Sequence, residues 1–157
     1  MKQFIPKVEP IPITKEGHAK LQQEMTDLTA ERPEALLNLQ KSRELGDLKE
    51  NGYYQASRQK MNEIDGRLRR IKFMLRYALI IEGSDTTSVD IGTKVLLRDG
   101  DKEFSYQIVG VEEANPREEK ISFRSPLGHA LLGKKVGESV DFHAPAGIKT
   151  LKILKLT

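Results

Sequence analysis

Asp47 and Glu50 are the residues best suited to chemistry in this chain. They stand three apart within the polar stretch Gly46-Asp47-Leu48-Lys49-Glu50-Asn51-Gly52-Tyr53-Tyr54. Carboxylates are hard oxygen donors. Mg²⁺ is commonly held by one or two of them, keeps several waters and takes its remaining ligands from phosphates. Two acids on one turn cannot enclose a metal. They could complete a site supplied by another molecule and orient a water for phosphodiester hydrolysis. The same spacing has a structural reading. Asp-x-x-Glu is a capping-box pattern, with Asp47 as N-cap and Glu50 at the third helical position, where acids also favour the helix dipole. On spacing alone the cap reading leads.

The elements that carry this stretch are helical on both sides. Before it, Leu21, Met25, Leu28, Ala35 and Leu39 recur at three- and four-residue steps, with Arg32 at the missing rung. After it, Tyr54, Met61, Ile64, Leu68, Ile71, Leu75 and Ala78 form the same ladder, broken only by Ser57. Two heptad-like runs joined by one tight turn predict an antiparallel coiled-coil hairpin with the acids at its tip. Thr14 is the expected N-cap of the first helix, which should run to about Leu45, where Gly46 stops it. Pro33 should bend that helix or interrupt its hydrogen-bond ladder. The second helix should end near Tyr77.

Charge adds a second feature. Arg58–Arg76 carries seven basic side chains (58, 60, 67, 69, 70, 72 and 76) against two acidic ones (63 and 65). Arg58, Arg69, Lys72 and Arg76 are 11, 3 and 4 apart and share one flank beside the apolar seam. Such a stripe can follow a phosphate backbone, although an ordinary solvated helix face reads the same way. The chain has no cysteine, which excludes disulfides and thiolate metal sites and fits a reducing compartment. The longest apolar run, Tyr77–Ile81, is too short to cross a membrane. Residues 1–13, with prolines at 6, 10 and 12, read as a flexible extended leader, and the protein as cytoplasmic.

Past Leu79-Ile80-Ile81, a short extended piece, and the linker Gly83–Ser88, the period changes from helical to alternating. Lys94–Arg98, Phe104–Val111, Lys120–Arg124, Ser139–Phe142 and Thr150–Leu156 read as strands. Ser125-Pro126 before Leu127–Gly133 supplies a cap, a first-turn proline and a terminal glycine for one short helix. The fold class is α+β, in three parts: a leader over 1–13, the hairpin over 14–82, and a globular domain over 83–157. His18, His129 and His143 lie in separate segments without metal-ligand spacing.

Gly46-Asp47-Leu48-Lys49-Glu50-Asn51 followed by Tyr54 resembles the tip motif of the bacterial Gre transcript-cleavage factors. Ile13–Gly17, Lys20-Leu21 and Arg32-Pro33-Glu34 resemble that family's first helix. Tyr106–Gly110, Ile121–Pro126 and Ala130–Gly137 resemble its C-terminal domain, so the likeness runs from about residue 11 to the end. Most motifs match the GreA branch, while Asn62–Arg69 leans towards the more basic GreB branch. The resemblance implies an FKBP-like C-terminal domain. It also implies a monomeric elongation factor that binds bacterial RNA polymerase and has no active site of its own. Asp47 and Glu50 would help to hold Mg²⁺ in the polymerase active centre and position water, so that the polymerase cleaves the backtracked RNA 3′ end. Arg43 and Arg58 would contact the extruded RNA or nearby polymerase, and Ser125 and Pro126 would lie in the docking loop. Three departures stand out: the longer leader, Gly52-Tyr53 where Ala and an acid are usual, and Arg124 where Asp or Asn is common. A paralogue that enters the same channel and inhibits transcription is the nearest alternative. A chaperone or prolyl isomerase is a different class, disfavoured by the few aromatics available to line a pocket. A general RNA-binding hairpin is the third.

Overall fold

The computed structural model describes residues 9–44, 51–81, 87–144 and 147–157. These fall into two compact units, one formed by Ala19–Tyr77 and the other by the described residues on either side of it. The α+β class expected from the alternation of periods is present, with long helices first and a mixed sheet after them.

Helix α1 (Lys15–Glu44) has 30 residues and α2 (Gly52–Tyr77) has 26, or about 45 and 39 Å at 1.5 Å per residue. α1 continues as one helix through Pro33, where the ring removes one backbone donor from the ladder. The two helices share one seam. Ala35 and Leu39 pack with Met61, Ile64 and Leu68, flanked by Met25, Leu28 and Tyr54. The ladder holds with two adjustments. Ser57 is buried although polar, because the helical period places it on the seam, and Met74 rather than Leu75 is the buried residue near the end of α2. Ion pairs bridge the helices. Arg67 donates through Nε and Nη2 to Glu24 at 2.6 and 2.7 Å, Arg32 Nε to Asp65 at 2.7 Å, and Lys60 lies 2.8 Å from Glu31. Arg32, the missing rung of the ladder, is therefore an edge residue held by charge.

The globular unit includes strand β1 (Ile11–Thr14), which pairs in parallel with β2 (Ala78–Ile81), Ile11 opposite Ala78 and Thr14 opposite Ile81. This corrects the reading of 1–13 as a leader at residues 11–13: Ile13 is buried and its backbone is paired. The main sheet has the order β5-β4-β3-β7-β6, from β3 (Lys94–Asp99), β4 (Lys102–Val109), β5 (Lys120–Ser122), β6 (Ser139–Ala144) and β7 (Gly147–Leu156). All neighbours are antiparallel except β4 and β5. Val95 and Leu97 alternate inward on the central strand, as a period of two requires. On β7 the buried residues are Leu151, Ile153 and Leu156, which break that period. A register shift between β3 and β7 at Leu96/Leu97 inserts one residue and restores the inward face. Leu131 of helix α3 (Pro126–Leu131) is fully buried in the same core, with Val89, Ile91, Ile108 and Val140.

The ion pairs predict a pH response. The guanidinium of Arg67 hydrogen-bonds Glu24 and holds its carboxyl below the ordinary value, against a smaller opposing effect of burial; Arg32 does the same for Asp65, helped by the nearby charges of Arg69 and Lys72. A depressed folded-state pKa contributes stability that is complete above the unfolded value and disappears as pH falls through the folded one. Both groups are partly exposed, so solvent screening keeps the effect small. Helix melting followed by circular dichroism should hold steady down to about pH 5 and fall below about pH 4. The double variant Glu24→Gln, Asp65→Asn should show a shallower acid drop; an unchanged drop would show that these pairs do not set the response.

Candidate functional site

Asp47 and Glu50 lie outside the described residues, so the site is built from what flanks them. α1 reaches the tip through a turn whose Ser42 is fully buried and donates its hydroxyl to the Leu39 carbonyl at 2.8 Å. α2 leaves it through Asn51. The Asn51 carbonyl accepts the first helical bond, from the Gln55 amide at 3.1 Å. Its side-chain oxygen accepts from the amides of Tyr53 and Tyr54 at 3.0 and 3.2 Å, and its side-chain nitrogen donates to the Ser42 carbonyl at 3.2 Å. Asn51 is thus the N-cap of α2 and ties that helix to the end of α1. Spacing had assigned the cap to Asp47, with the helix beginning just after it. The helix begins at Gly52, and Asn51 does the capping.

The sequence already contained a signal for this, an Asn immediately before an apolar helical run. It was masked by the competing Asp-x-x-Glu pattern four residues earlier. Gly52 is exposed, and a methyl group built there meets nothing within 4 Å, so no contact among the described residues demands glycine. Tyr53 is exposed, with its hydroxyl 3.5 Å from the Asn38 side-chain oxygen, while Tyr54 packs against the seam.

Arg43 is exposed in the last turn of α1, and Arg58 is exposed in the second turn of α2, so both stand near the tip. Arg69, Lys72 and Arg76 are exposed further along α2. None of these five forms an ion pair with another described residue. By contrast, Lys60 and Arg67 of the same helix are engaged across the seam. The stripe is thus exposed positive charge, with Arg69 and Lys72 close enough to Asp65 to act on its carboxyl, and it ends where the Arg76 guanidinium lies 5.7 Å from the Tyr77 ring, itself 4.9 Å from Phe73.

In the globular unit, Ser125 is the N-cap of α3. Its hydroxyl donates to the Ser122 carbonyl at 2.7 Å and accepts from the Gly128 amide at 3.0 Å. That hydroxyl is occupied locally, and its effect is to hold exposed Pro126 at the first helical position. Arg124 is exposed and its guanidinium lies 5.6 Å from the Phe123 ring. Phe104, Tyr106 and Phe142 line a shallow cleft with Leu127 and Leu151, bordered by Asp99 and Lys149 at 3.5 Å. Among the described residues no group of three or more His, Asp or Glu side chains could hold a metal ion. No helix of the described residues is long and apolar enough to cross a membrane.

Replacing Asn51 with Ala should destabilise the hairpin by about 1 kcal/mol, the usual value of a lost cap, and accelerate amide exchange at Tyr53 and Tyr54. Asn51→Asp keeps the cap but loses the bond to the Ser42 carbonyl, and should retain most of that protection. Equal protection in Asn51→Ala and the wild type would contradict the assignment.

Residues 11–80 match the family model of the N-terminal domain of transcription elongation factors, and residues 84–157 the GreA/GreB C-terminal model. The chain is 42% identical over 151 residues to transcription elongation factor GreA of Thermosipho africanus, spanning 94% of this chain and 97% of that one. It is 40% identical over 153 residues to GreA of Chloroflexus aggregans, spanning 94% and 98%. Among solved structures, GreA factor homolog 1 (Gfh1) of Thermus thermophilus covers 95% of this chain and 99% of its own, at 28% identity and a TM-score of 0.45. With both halves matched and such identity over nearly the whole length, the chain belongs to the GreA/GreB family of transcription elongation factors.

Proposed function

We propose that this factor binds bacterial RNA polymerase, inserts its hairpin tip through the secondary channel, and stimulates the polymerase's own cleavage of backtracked nascent RNA. Arrested complexes would then resume from the new 3′ end. The observation that carries this reading is the cap at Asn51. Because the start of α2 is satisfied without Asp47, an acid pair at the tip is not required to begin that helix.

The donor set fits a shared magnesium. Two carboxylates supply hard oxygen ligands but too few for a site of their own, so the ion belongs to the polymerase. When bound, it would lower the pKa of a water and stabilise developing charge on the phosphate. On this chain, Asp47 would complete the ion's coordination, and Glu50 would hold the ion or accept a hydrogen bond from the attacking water. Arg43 and Arg58 would steady the extruded RNA by charge, with Arg69, Lys72 and Arg76 extending the attraction along α2. Pro126, presented by the Ser125 cap, would meet the polymerase at the docking loop. The factor acts in the cytoplasm as a monomer and is not itself an enzyme.

The test compares wild type with Asp47→Asn on stalled, backtracked complexes of a bacterial polymerase. Asn caps as well as Asp, so the fold should be spared. Cleavage stimulation should fall roughly a hundredfold, the scale of losing one preorganised electrostatic partner, with polymerase binding unchanged. Equal stimulation by both proteins would overturn the metal-completing role. Binding without stimulation by either would favour the inhibitory paralogue.

A further inference from the structure

A carboxylate far from the tip is placed where the hairpin begins. Glu113 lies in a 3₁₀ turn (Val111–Glu113) of the globular unit. Locally it forms a reciprocal cap, its amide donating to the Gly110 carbonyl at 3.2 Å and its carboxylate accepting from the Gly110 amide at 3.1 Å. A turn cap needs no more than that. Yet the same carboxylate also accepts from the Thr14 amide at 3.0 Å and from the Thr14 hydroxyl, 99 residues earlier in the chain. The Thr14 hydroxyl in turn accepts from the Gly17 amide at 3.0 Å, capping α1. One carboxylate thus takes three hydrogen bonds from two segments, and through Thr14 it secures the first turn of α1.

Two glycines make room for it. A side chain at Gly17 would run into the carboxylate and Cγ of Glu113. A side chain at Gly110 would meet both that carboxylate and the Pro12 carbonyl, each at 2.7 Å. Gly17 lies in the first turn of α1, where glycine is a weaker helix former than alanine. The cost is offset by what the absent Cβ admits. Thr14 is buried and Ile13 beside it is paired in β1, so the latch sits on ordered backbone.

We propose that Glu113 is a positioning residue: within one compact unit its carboxylate latches Thr14 and the first turn of α1 to the Gly110–Glu113 turn, and so fixes the start of the helix that leads towards the tip acids. The consequence for RNA cleavage rests on the function proposed above; the latch itself does not. Glu113 touches no reacting atom and acts only through Thr14 and Gly17.

The test uses the full-length factor, in which no cysteine interferes with labelling. Amide exchange at Thr14 and Gly17 is followed by NMR, together with the width of the distance distribution between spin labels at Gln59→Cys and Lys152→Cys. Glu113→Ala should speed exchange at both amides by tenfold or more and broaden the distribution, while Ile108 and Ile64 in the two cores keep their protection. Glu113→Gln retains one acceptor oxygen and should restore part of the protection. Gly17→Ala leaves Glu113 in the chain but evicts it, and should reproduce Glu113→Ala despite its better helix propensity. Unchanged exchange and width in Glu113→Ala would overturn the latch. In the polymerase assay, Glu113→Ala should stimulate cleavage at least tenfold less than wild type at saturating factor. Full stimulation by a variant with a broadened distribution would overturn the positioning role, and leaves Asp47's role to its own test.

Discussion

The hairpin depends on one apolar seam between two helices. A helix in a globular core can bury several sides, but each of these has a single partner and a single buried stripe. Ala35, Leu39, Met61, Ile64 and Leu68 supply that stripe. The edges are closed by Glu24–Arg67, Arg32–Asp65 and Lys60–Glu31. Exposed pairs of this kind contribute little to stability. Their weight is in register, since a shifted pairing would bring unlike positions together and lose the bidentate contact of Arg67. Charge at the edge and apolar contact at the centre thus specify the same alignment, and alignment decides where the segment between α1 and α2 begins and ends.

Division of labour follows. Two carboxylates are too few to hold a metal and too exposed in sequence to build a pocket, so the chemistry proposed for them needs a second molecule. What the chain provides is the means of delivery. Asn51 closes the base of the tip by binding both helices, and the exposed cations of α2 continue away from it. At the opposite end the Glu113 carboxylate gathers Thr14 and Gly110 around the root of α1. Both ends of the device are therefore set by polar side chains that each bond two segments, while the middle is set by apolar packing.

Local signals made much of this legible. The three- and four-residue ladder disclosed both helices, because each rung depends only on its neighbours in the chain. The cap at Thr14 and the Ser125-Pro126 start of α3 are likewise short-range patterns. The misses are long-range. Pro6, Pro10 and Pro12 argued for an unstructured leader, whereas β1 is ordered by a partner 67 residues on, Ala78 opposite Ile11. Glu113 carried no signal at all, since half of its partners come from Thr14. Phe104 and Tyr106 of β4 and Phe142 of β6 line one cleft, yet they come from two strands that only the sheet brings together. Asp47 competed with Asn51 for the role of cap, and spacing alone could not separate them.

The central claim is that the tip acids are carried to an RNA end held by another molecule. A photocrosslinker at Leu48, between the two acids, tests this directly in stalled, backtracked polymerase complexes bearing RNA labelled at its 3′ end. The account predicts a factor–RNA adduct confined to the terminal nucleotides, and none from a crosslinker at Lys152. A factor that binds the complex yet gives no adduct from position 48 would contradict it.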